Sequence, residues 1–407
     1  MPTGIKVSII GQGYVGLPLA HSLVGAGFHV TGVDIDETKI ALLNKGKTII
    51  EDVTDADVLE MLNASRYEAT SSYSAIAESD VVVICVPTPL GESNDPDLTS
   101  LLSATKAIAQ VAKSGALIVN ESTSFPGTVR DLIVNIFREI RPNVEFDFAC
   151  APERVDPGNS KWGHTNTPRL VGGLTEKSLS RAVDFYSKVC NQVIPVSSPE
   201  VAELAKLLEN SFRQVNIALV TELAEISSSI GVNVHEVIEA AATKPYGFMK
   251  FTPSVGVGGH CIPVDPMYLS WFAKQKGSKL ELVEVSQKIN DERPKKIAQR
   301  AMEIAGKAPA RILIVGMGYK PNTSDLRESP SVKIYGTLKS AGYEVRWFDS
   351  YVDVFDEKGC ETNVSDFNLI IYCQPDNDFK LDDVIREKYR ILDCTGRISK
   401  LENIFQI

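Results

Sequence analysis

The apolar run Ile5–Ile10 ends in Gly11-Gln12-Gly13-Tyr14-Val15-Gly16, and a helical pattern near Val15–Ala26 opens inside that turn. Few folds accommodate three glycines in six positions between a strand and a helix. The first glycine permits a tight turn, the second lets the backbone approach a ligand, and the third lets helix pack closely on strand. A strand fed into a helix in this way begins a βαβ unit, and therefore a parallel sheet. The first third of the chain repeats the pattern. His29–Val33, Val81–Val86, Leu117–Asn120 and Phe146–Cys150 read as strands, and Thr38–Asn44, Leu98–Lys113 and Thr128–Ile140 as helices. Arg169–Gly173, Glu176–Val189 and Gln192–Val196 add a further βαβ-like piece.

The pattern then changes. From Pro199 to Ile230 a helical stretch runs without internal proline and with no glycine, and Asn233–Ala242, Tyr268–Gln275 and Leu280–Ala305 continue in helix. Alternation returns with strands at Arg311–Val315, Glu344–Phe348 and Asn368–Cys373 and a helix at Ser331–Ser340. The first of these strands ends at Gly316-Met317-Gly318 and the second at Asp349, a faint echo of the N-terminal turn. A chain of 407 residues exceeds what one hydrophobic core usually organises, about 250–300 residues. The expected division is residues 1–198, a helical region 199–305, and 306–407. The fold class is α/β, with two doubly wound domains joined by a central helical region that holds one long helix.

Asp34 ends the second strand at the distance at which a carboxylate meets the ribose diol of a dinucleotide. It would repel a 2′-phosphate, so strand, glycines, helix and acid together indicate NAD rather than NADP. Gly11, Gly13, Tyr14, Val15 and Gly16 would hold the pyrophosphate on the helix N-terminus. Lys39 fits either a place near the ribose or an exposed helical position. Ligands in open α/β sheets lie beyond the carboxyl ends of strands, which draws Pro87 and Thr88 (in Val86–Pro89) and Ser122 and Thr123 (in Glu121–Thr123) to the cofactor. Turn chemistry alone accounts for Pro, Ser and Thr at those places equally well.

Seven cysteines are scattered without CxxC spacing, as expected of reduced thiols. Most cysteines serve as small buried hydrophobes. Cys261 stands apart because its loop is Ser254-Val255-Gly256-Val257-Gly258-Gly259-His260-Cys261-Ile262-Pro263-Val264-Asp265-Pro266. Glycines before the thiol open the backbone to a ligand, and prolines after it hold the chain extended, so that Asp265 keeps a fixed relation to Cys261. A loop thiol beside an acid suits a nucleophile. With five histidines and no second ligand cluster, no metal centre is expected. Lys206 and Asn210, four residues apart, share a face of the long helix among apolar neighbours. The lysine suits a developing oxyanion, although a solvated polar stripe would read the same way.

Lys and Arg number 42 against 52 Asp and Glu, a net charge of −10, which argues against binding a nucleic-acid polymer. No apolar run reaches the roughly 18–20 residues of a membrane span. The chain enters its first strand without the layout of a signal peptide, so a cytoplasmic protein is expected.

Seven motifs carry a resemblance over nearly the whole length: GQGYVGLP (Gly11–Pro18), VPTP (Val86–Pro89), EST (Glu121–Thr123), APER (Ala151–Arg154), AKLLEN (Ala205–Asn210), GVGGHCIPVDP (Gly256–Pro266) and GMGYKPNTSDLRESP (Gly316–Pro330). In this order they resemble the UDP-glucose/GDP-mannose dehydrogenase family. The resemblance implies a Rossmann-like NAD-binding N-terminal domain, central helices that form a homodimer, and a Rossmann-like C-terminal domain that holds UDP. It implies oxidation of a sugar C6 alcohol to a carboxylate with two NAD⁺ and one water, through a thiohemiacetal and a thioester on Cys261. Lys206 would stabilise oxyanion charge, Asn210 and Thr123 would position the reacting oxygen or water, Asp265 would be the base, and Glu153 would activate the hydrolytic water. Glu153, Arg154, Lys206, Asn210, Phe251, Gly258 and Lys320 would meet the substrate, and Arg327 the cofactor phosphates.

The substrate branch turns on departures. UDP-glucose enzymes carry a second glutamate four positions after the first, where this chain has Pro157. PERVDPGN, KPYGFM (Lys244–Met249) and GGHCIPVDPMYLSW (Gly259–Trp271) resemble the branch that oxidises UDP-N-acetylglucosamine; enzymes of UDP-N-acetylmannosamine resemble PERVLPG and GGHCIAVDP more often. The family uses a partner-subunit arginine near KPYGFM, for which Lys244 or Lys250 would substitute here. Two further readings stand beside this one. A β-hydroxyacid dehydrogenase would have no use for Cys261, and a non-catalytic nucleotide sensor would have no need to keep Cys261, Lys206, Asn210 and Asp265 together.

Overall fold

The computed structural model describes residues 4–50, 52–155, 159, 161–399 and 401–407. Pro157, on which the branch argument leans, lies outside the described residues. The chain divides into two compact units. One runs to Leu208 and includes Trp271–Lys276; the other is Glu209–Ser270 with Gly277–Ile407.

The first unit is built on an eight-stranded sheet: β1 (Lys6–Ile10), β2 (His29–Val33), β3 (Tyr67–Thr70), β4 (Val81–Ile84), β5 (Leu117–Asn120), β6 (Asp147–Cys150), β7 (Arg169–Gly173) and β8 (Val193–Val196). Their spatial order is β3-β2-β1-β4-β5-β6-β7-β8. The first six pair in parallel, in the order that binds dinucleotides, and β7 turns antiparallel to β6. Strands such as β4 (VVVI) are buried at every residue, because helices cover both faces of the sheet. Those helices are α1 (Gly16–Gly25), α2 (Glu37–Leu43), α3 (Asp55–Asn63), α4 (Thr99–Val111), α5 (Val134–Ile140) and α6 (Glu176–Tyr186).

The sequence reading passed over α3 and β3. The start of α3 carries a capping box, in which Thr54 and Asp57 bond each other's backbone amides. The expected helix from Thr128 begins instead as a wide π-type turn, Thr128–Ile133, entered from Gly127 at φ +97°.

The helix α7 (Pro199–Ser229) is the expected long one; α8 (Val234–Ala242), α9 (Asp265–Gln275) and α10 (Glu281–Ala305) follow. The C-terminal part carries β9 (Arg311–Val315), α11 (Pro330–Ser340), β10 (Glu344–Phe348), a small hairpin of β11 (Val354–Phe355) and β12 (Lys358–Gly359), then β13 (Leu369–Tyr372), α12 (Leu381–Arg386), β14 (Ile391–Asp393) and β15 (Ile404–Gln406). Its five-stranded sheet is parallel throughout, in the order β10-β9-β13-β14-β15. The last two strands and α12 were not legible because each is only three to six residues long. Among the described residues, no helix is long and apolar enough to cross a membrane.

Candidate active site

Strand register assembles one edge of the first unit. Ile10 pairs with Val33 and Ile84, Ile84 with Asn120, and Asn120 with Cys150. The next residue of each strand therefore falls on a common carboxyl edge: Gly11, Asp34, Cys85, Glu121 and Ala151. Four segments singled out in the sequence, 11–16, 86–89, 121–123 and 151–154, start from this edge, where the strand order reverses beside β1.

The glycine turn fits a dinucleotide. A Cβ on Gly11, at φ +97°, would sit 2.3 Å from the Cys85 carbonyl oxygen, and one on Gly16 would sit 1.8 Å from that of Gly11. Those two glycines are demanded by the fold. Gly13 is different: a Cβ there would meet nothing within 4 Å. No side chain caps α1 and no acid stands in its first turn, so its positive end is left to a ligand. Asp34 is fixed by the Gln12 amide and Lys39 Nζ on one oxygen (2.8 and 2.9 Å) and by the Asp36 amide on the other (3.1 Å). Lys39 is thus paired with Asp34 rather than standing exposed. Gln12 is itself pinned, since Tyr67 Oη donates to its Oε1 at 2.7 Å. At the neighbouring strand ends Thr88 is buried, Pro87 is exposed, Ser122 Oγ donates to the Val86 carbonyl at 2.8 Å, and Thr123 is half-buried.

Behind this edge lies an ion cluster that the sequence did not reveal. Arg169, buried on β7, donates to Glu153 Oε2 (2.6 Å) and Glu121 Oε2 (3.2 Å). Tyr186 Oη donates to Glu121 Oε1 at 2.5 Å, and His164 Nδ1 lies 3.1 Å from Glu153 Oε2. The other Glu153 oxygen accepts the Arg154 and Val155 amides. Burial alone would push Glu153 up, but Arg169 and His164 hold its carboxyl well below the usual range. Burial does raise Glu121, against the pull of Arg169. Both oxygens of Glu153 are committed and its proton affinity is lowered, which weighs against the expected role as a base. Arg154 also turns inward and donates to the Pro168 carbonyl at 2.8 Å. The one available signal was the basic start of an otherwise apolar strand, RLVGG.

In the second unit, Asn210 Nδ2 donates to Asp265 Oδ2 at 2.7 Å across 55 residues of sequence. Lys206, one turn earlier on the same helix and within the first unit, is half-buried. The segment after the thiol is not extended as expected. It turns, with the Asp265 amide donating to the Cys261 carbonyl at 2.9 Å, and runs directly into α9. Asp265 is fully buried in the first turn of α9, where the helix dipole favours its negative charge. Cys261 is exposed, five of the other six thiols are buried and Cys360 is intermediate. Burial raises Cys85 and Cys150 well above the ordinary thiol range, which makes them inert.

The glycines before Cys261 serve packing. A Cβ on Gly258 would lie 2.8 Å from the Glu328 carbonyl oxygen, and one on Gly259, at φ +77°, 2.6 Å from the Tyr319 ring. The Gly259 amide donates to the Arg327 carbonyl at 3.1 Å. The thiol loop is therefore seated on the segment 319–330. Arg327 forks onto Asp325 (2.6 Å at the shortest), Lys320 Nζ lies over the Tyr319 ring, and Phe251 meets Phe212 edge-on. Lys250 pairs with Glu239, and Lys244 lies over Tyr246.

A dinucleotide edge in one unit, and a second doubly wound sheet with an exposed thiol loop in the other, define a nicotinamide-dependent oxidoreductase with two nucleotide-binding ends. The sequence matches three consecutive domains of one family: an NAD-binding domain over residues 5–190, a central domain over 200–292 and a UDP-binding domain over 313–398. The chain belongs to the UDP-glucose/GDP-mannose dehydrogenase family, whose members are NAD-dependent. It is 36% identical to the UDP-N-acetyl-D-mannosamine dehydrogenase of Pyrococcus horikoshii, over 86% of this chain and 84% of that protein. It is 34% identical to the UDP-N-acetyl-D-glucosamine 6-dehydrogenase of Pseudomonas aeruginosa, with the same coverage. The solved structure of a UDP-D-ManNAc dehydrogenase from Pyrococcus horikoshii superposes with a TM-score of 0.90, at 30% identity and 99% coverage of both chains.

Proposed function

We propose that this protein oxidises the C6 alcohol of a UDP-N-acetylhexosamine to the carboxylate, with UDP-N-acetylglucosamine as the first substrate to test. The observation that carries the proposal is the exposed Cys261, four residues before a buried Asp265 that accepts a hydrogen bond from Asn210. A single alcohol oxidation needs no thiol, whereas passage from aldehyde to acid gains from one.

Bound NAD⁺ supplies the hydride acceptor for both oxidations. The turn 11–16, Asp34 and Lys39 would hold it, with Pro87, Thr88, Ser122 and Thr123 along the same edge. The Lys206 ammonium stabilises the C6 alkoxide and each later oxyanion. At the aldehyde stage Cys261 Sγ bonds to C6 and a proton goes to the oxygen, giving a thiohemiacetal. After the second oxidation C6 is a thioester carbon. Asn210 and Thr123 position the water, and Asp265 receives its proton. Addition of water breaks the C6–S bond and releases the carboxylate and the thiol. Glu153 positions Arg154 and its own loop, in place of acting as the base. Lys320, Arg154, Phe251 and the Gly258 backbone contact the nucleotide sugar, and Arg327 the cofactor phosphates.

The mannosamine epimer is the second reading, because several relatives at 32–36% identity act by name on UDP-N-acetyl-D-mannosamine. The test is a panel of UDP-sugars with NAD⁺, followed by NADH absorbance and product mass. Two NADH per sugar and an acid product are expected, and one NADH with an aldehyde or ketone product refutes the thioester route. The homodimer is proposed from α7, where Phe212, Leu219 and Ile226 are exposed at spacings of seven, an apolar stripe on one helix face. Leu219→Asp with Ile226→Asp should convert a dimer to monomers in analytical ultracentrifugation.

A further inference from the structure

We infer that Glu203 is a positioning residue, which clasps the helix carrying Lys206 to the loop that follows Ser122 and Thr123. The inference rests on the reading of Lys206 given above, and all its geometry lies within the first unit.

Glu203 stands three residues before Lys206 on α7 and is 2% exposed. Its Oε2 accepts the Gly127 amide at 2.7 Å and its Oε1 accepts the Val129 amide at 3.0 Å. Gly127 and Val129 flank the start of the π-type turn Thr128–Ile133, so the carboxylate caps that turn from a distant element. Two donors received on two oxygens fix an orientation as well as a distance. Gly127 has to lack a side chain here, because its φ is +97° and a Cβ would lie 2.8 Å from Asp131 Oδ2. A second clasp joins the same segments at the surface, where Arg130 Nε donates to Glu200 Oε1 at 2.6 Å. Through Glu203 the helix position of Lys206 is referred to the strand end at Thr123.

The clasp is also sensitive to protons. Burial pushes the Glu203 carboxyl up to about 7, against the two amides that favour its ionised form. The charged and titratable groups facing it are Glu200 on its own helix, Asp131 and Arg130 on the turn, and the Cys150 thiol at the end of β6, which Lys206 also faces. Glu200 and Asp131 reinforce the upward shift. Protonation removes the charge that both amides address, so the turn should loosen as pH falls through neutrality.

The test uses the full-length enzyme with UDP-N-acetylglucosamine and NAD⁺, with UDP-N-acetylmannosamine as the alternative probe. Glu203→Gln should lower kcat roughly tenfold or more, as a small misplacement does. It should leave both KM values within about twofold, and it should remove an acid limb of kcat near pH 7. Hydrogen exchange read by mass spectrometry should accelerate over 125–133 in this variant. In the wild type the same segment should open as pH drops from 8 to 6, after correction for intrinsic rates, and this measurement needs no variant to fold. Glu200→Gln, which breaks only the exposed clasp, should leave kcat and exchange at pH 8 unchanged and move the acid limb only slightly toward lower pH, because it removes one charge that raises Glu203. Unchanged kcat, pH profile and exchange in Glu203→Gln would overturn the inference, as would full reproduction of its effects by Glu200→Gln. Lys206→Met separates the two ideas. If it retains wild-type kcat, the role of Lys206 falls, while exchange over 125–133 still reports on Glu203.

Discussion

Replacing Arg169 by Met would test the cluster behind the cofactor edge. The guanidinium is 3% exposed and bridges two carboxylates, Glu121 and Glu153, that are themselves 1% and 6% exposed. Methionine fills similar volume, so the packing loss is small and the effect is electrostatic. Removing one partner of a buried ion pair leaves an uncompensated charge, at a cost of about 3–5 kcal/mol. For a unit of this size each kcal/mol moves Tm by about 2–4 °C, so a fall of roughly 10 °C is expected at pH 8. The loss should depend on pH in a definite sense. In the wild type Glu153 is held well below the ordinary range, so the stability it contributes is present above the unfolded pKa and lost as pH falls through the folded one. Without Arg169 its pKa must rise, and the penalty applies only while it is ionised. The deficit should therefore be large at pH 8 and shrink toward pH 5. Adding Glu153→Gln to Arg169→Met should recover part of it. Differential scanning fluorimetry over that range is sufficient. A deficit under about 1 kcal/mol at pH 8, or one that does not vary with pH, would show that the cluster is not charged in the way its geometry implies.

Three further outcomes follow from the same structure. Gly11→Ala should unfold or severely destabilise the first unit, since its Cβ strikes a backbone oxygen, whereas Gly13→Ala should leave Tm unchanged and weaken NAD⁺ binding in titration calorimetry. On global unfolding, which hydrates the carboxyl, Glu203 passes from about 7 to the ordinary 4.5, so its contribution is full below the lower value and is lost as pH rises through the higher one, opposite in sign to the local release of the two amides, which leaves the carboxyl buried. That amounts to about 3 kcal/mol of declining stability, which Glu203→Gln should flatten in urea titrations at pH 5 and 8. Iodoacetamide at low excess should alkylate Cys261 first, as peptide mapping would read, because the other thiols are buried or only partly exposed.

What the sequence made legible follows from the range of the interactions. The turn 11–16, the strands around it and α7 rest on local patterns, and each appears where periodicity placed it. Asn210 was legible beside Lys206 and Asp265 beside Cys261, but no spacing rule reveals that the two bond across 55 residues. Arg169 was invisible for the same reason, since its partners come from two other strands and it looks like the edge of an apolar run. The glycines before Cys261 were legible as a demand for close approach, but not as to what approaches. The answer is Tyr319 and the Glu328 carbonyl.

That last correction alters how the two glycine turns compare. Both follow the first strand of a parallel sheet, and both first glycines have positive φ, +97° at Gly11 and +88° at Gly316. Both turns are clasped by the acid ending the neighbouring strand: Asp34 accepts the Gln12 amide, and Asp349 accepts the Met317 and Gly318 amides at 2.7 and 3.1 Å. They diverge at the next residue that matters. In the first turn the helix opens at Gly16, and its N-terminus, which no side chain caps, directs a positive end at the ligand edge. In the second the helix waits until Pro330, and the intervening chain carries Tyr319, Lys320, Arg327 and Glu328. No helix opens directly at Gly316, and Lys320 is a cation that follows the turn. The chain between Gly316 and Pro330 instead forms the seat for Gly258 and Gly259, and through them sets where the Cys261 loop stands. The second doubly wound sheet thus seats the thiol loop on the chain that follows its first glycine turn.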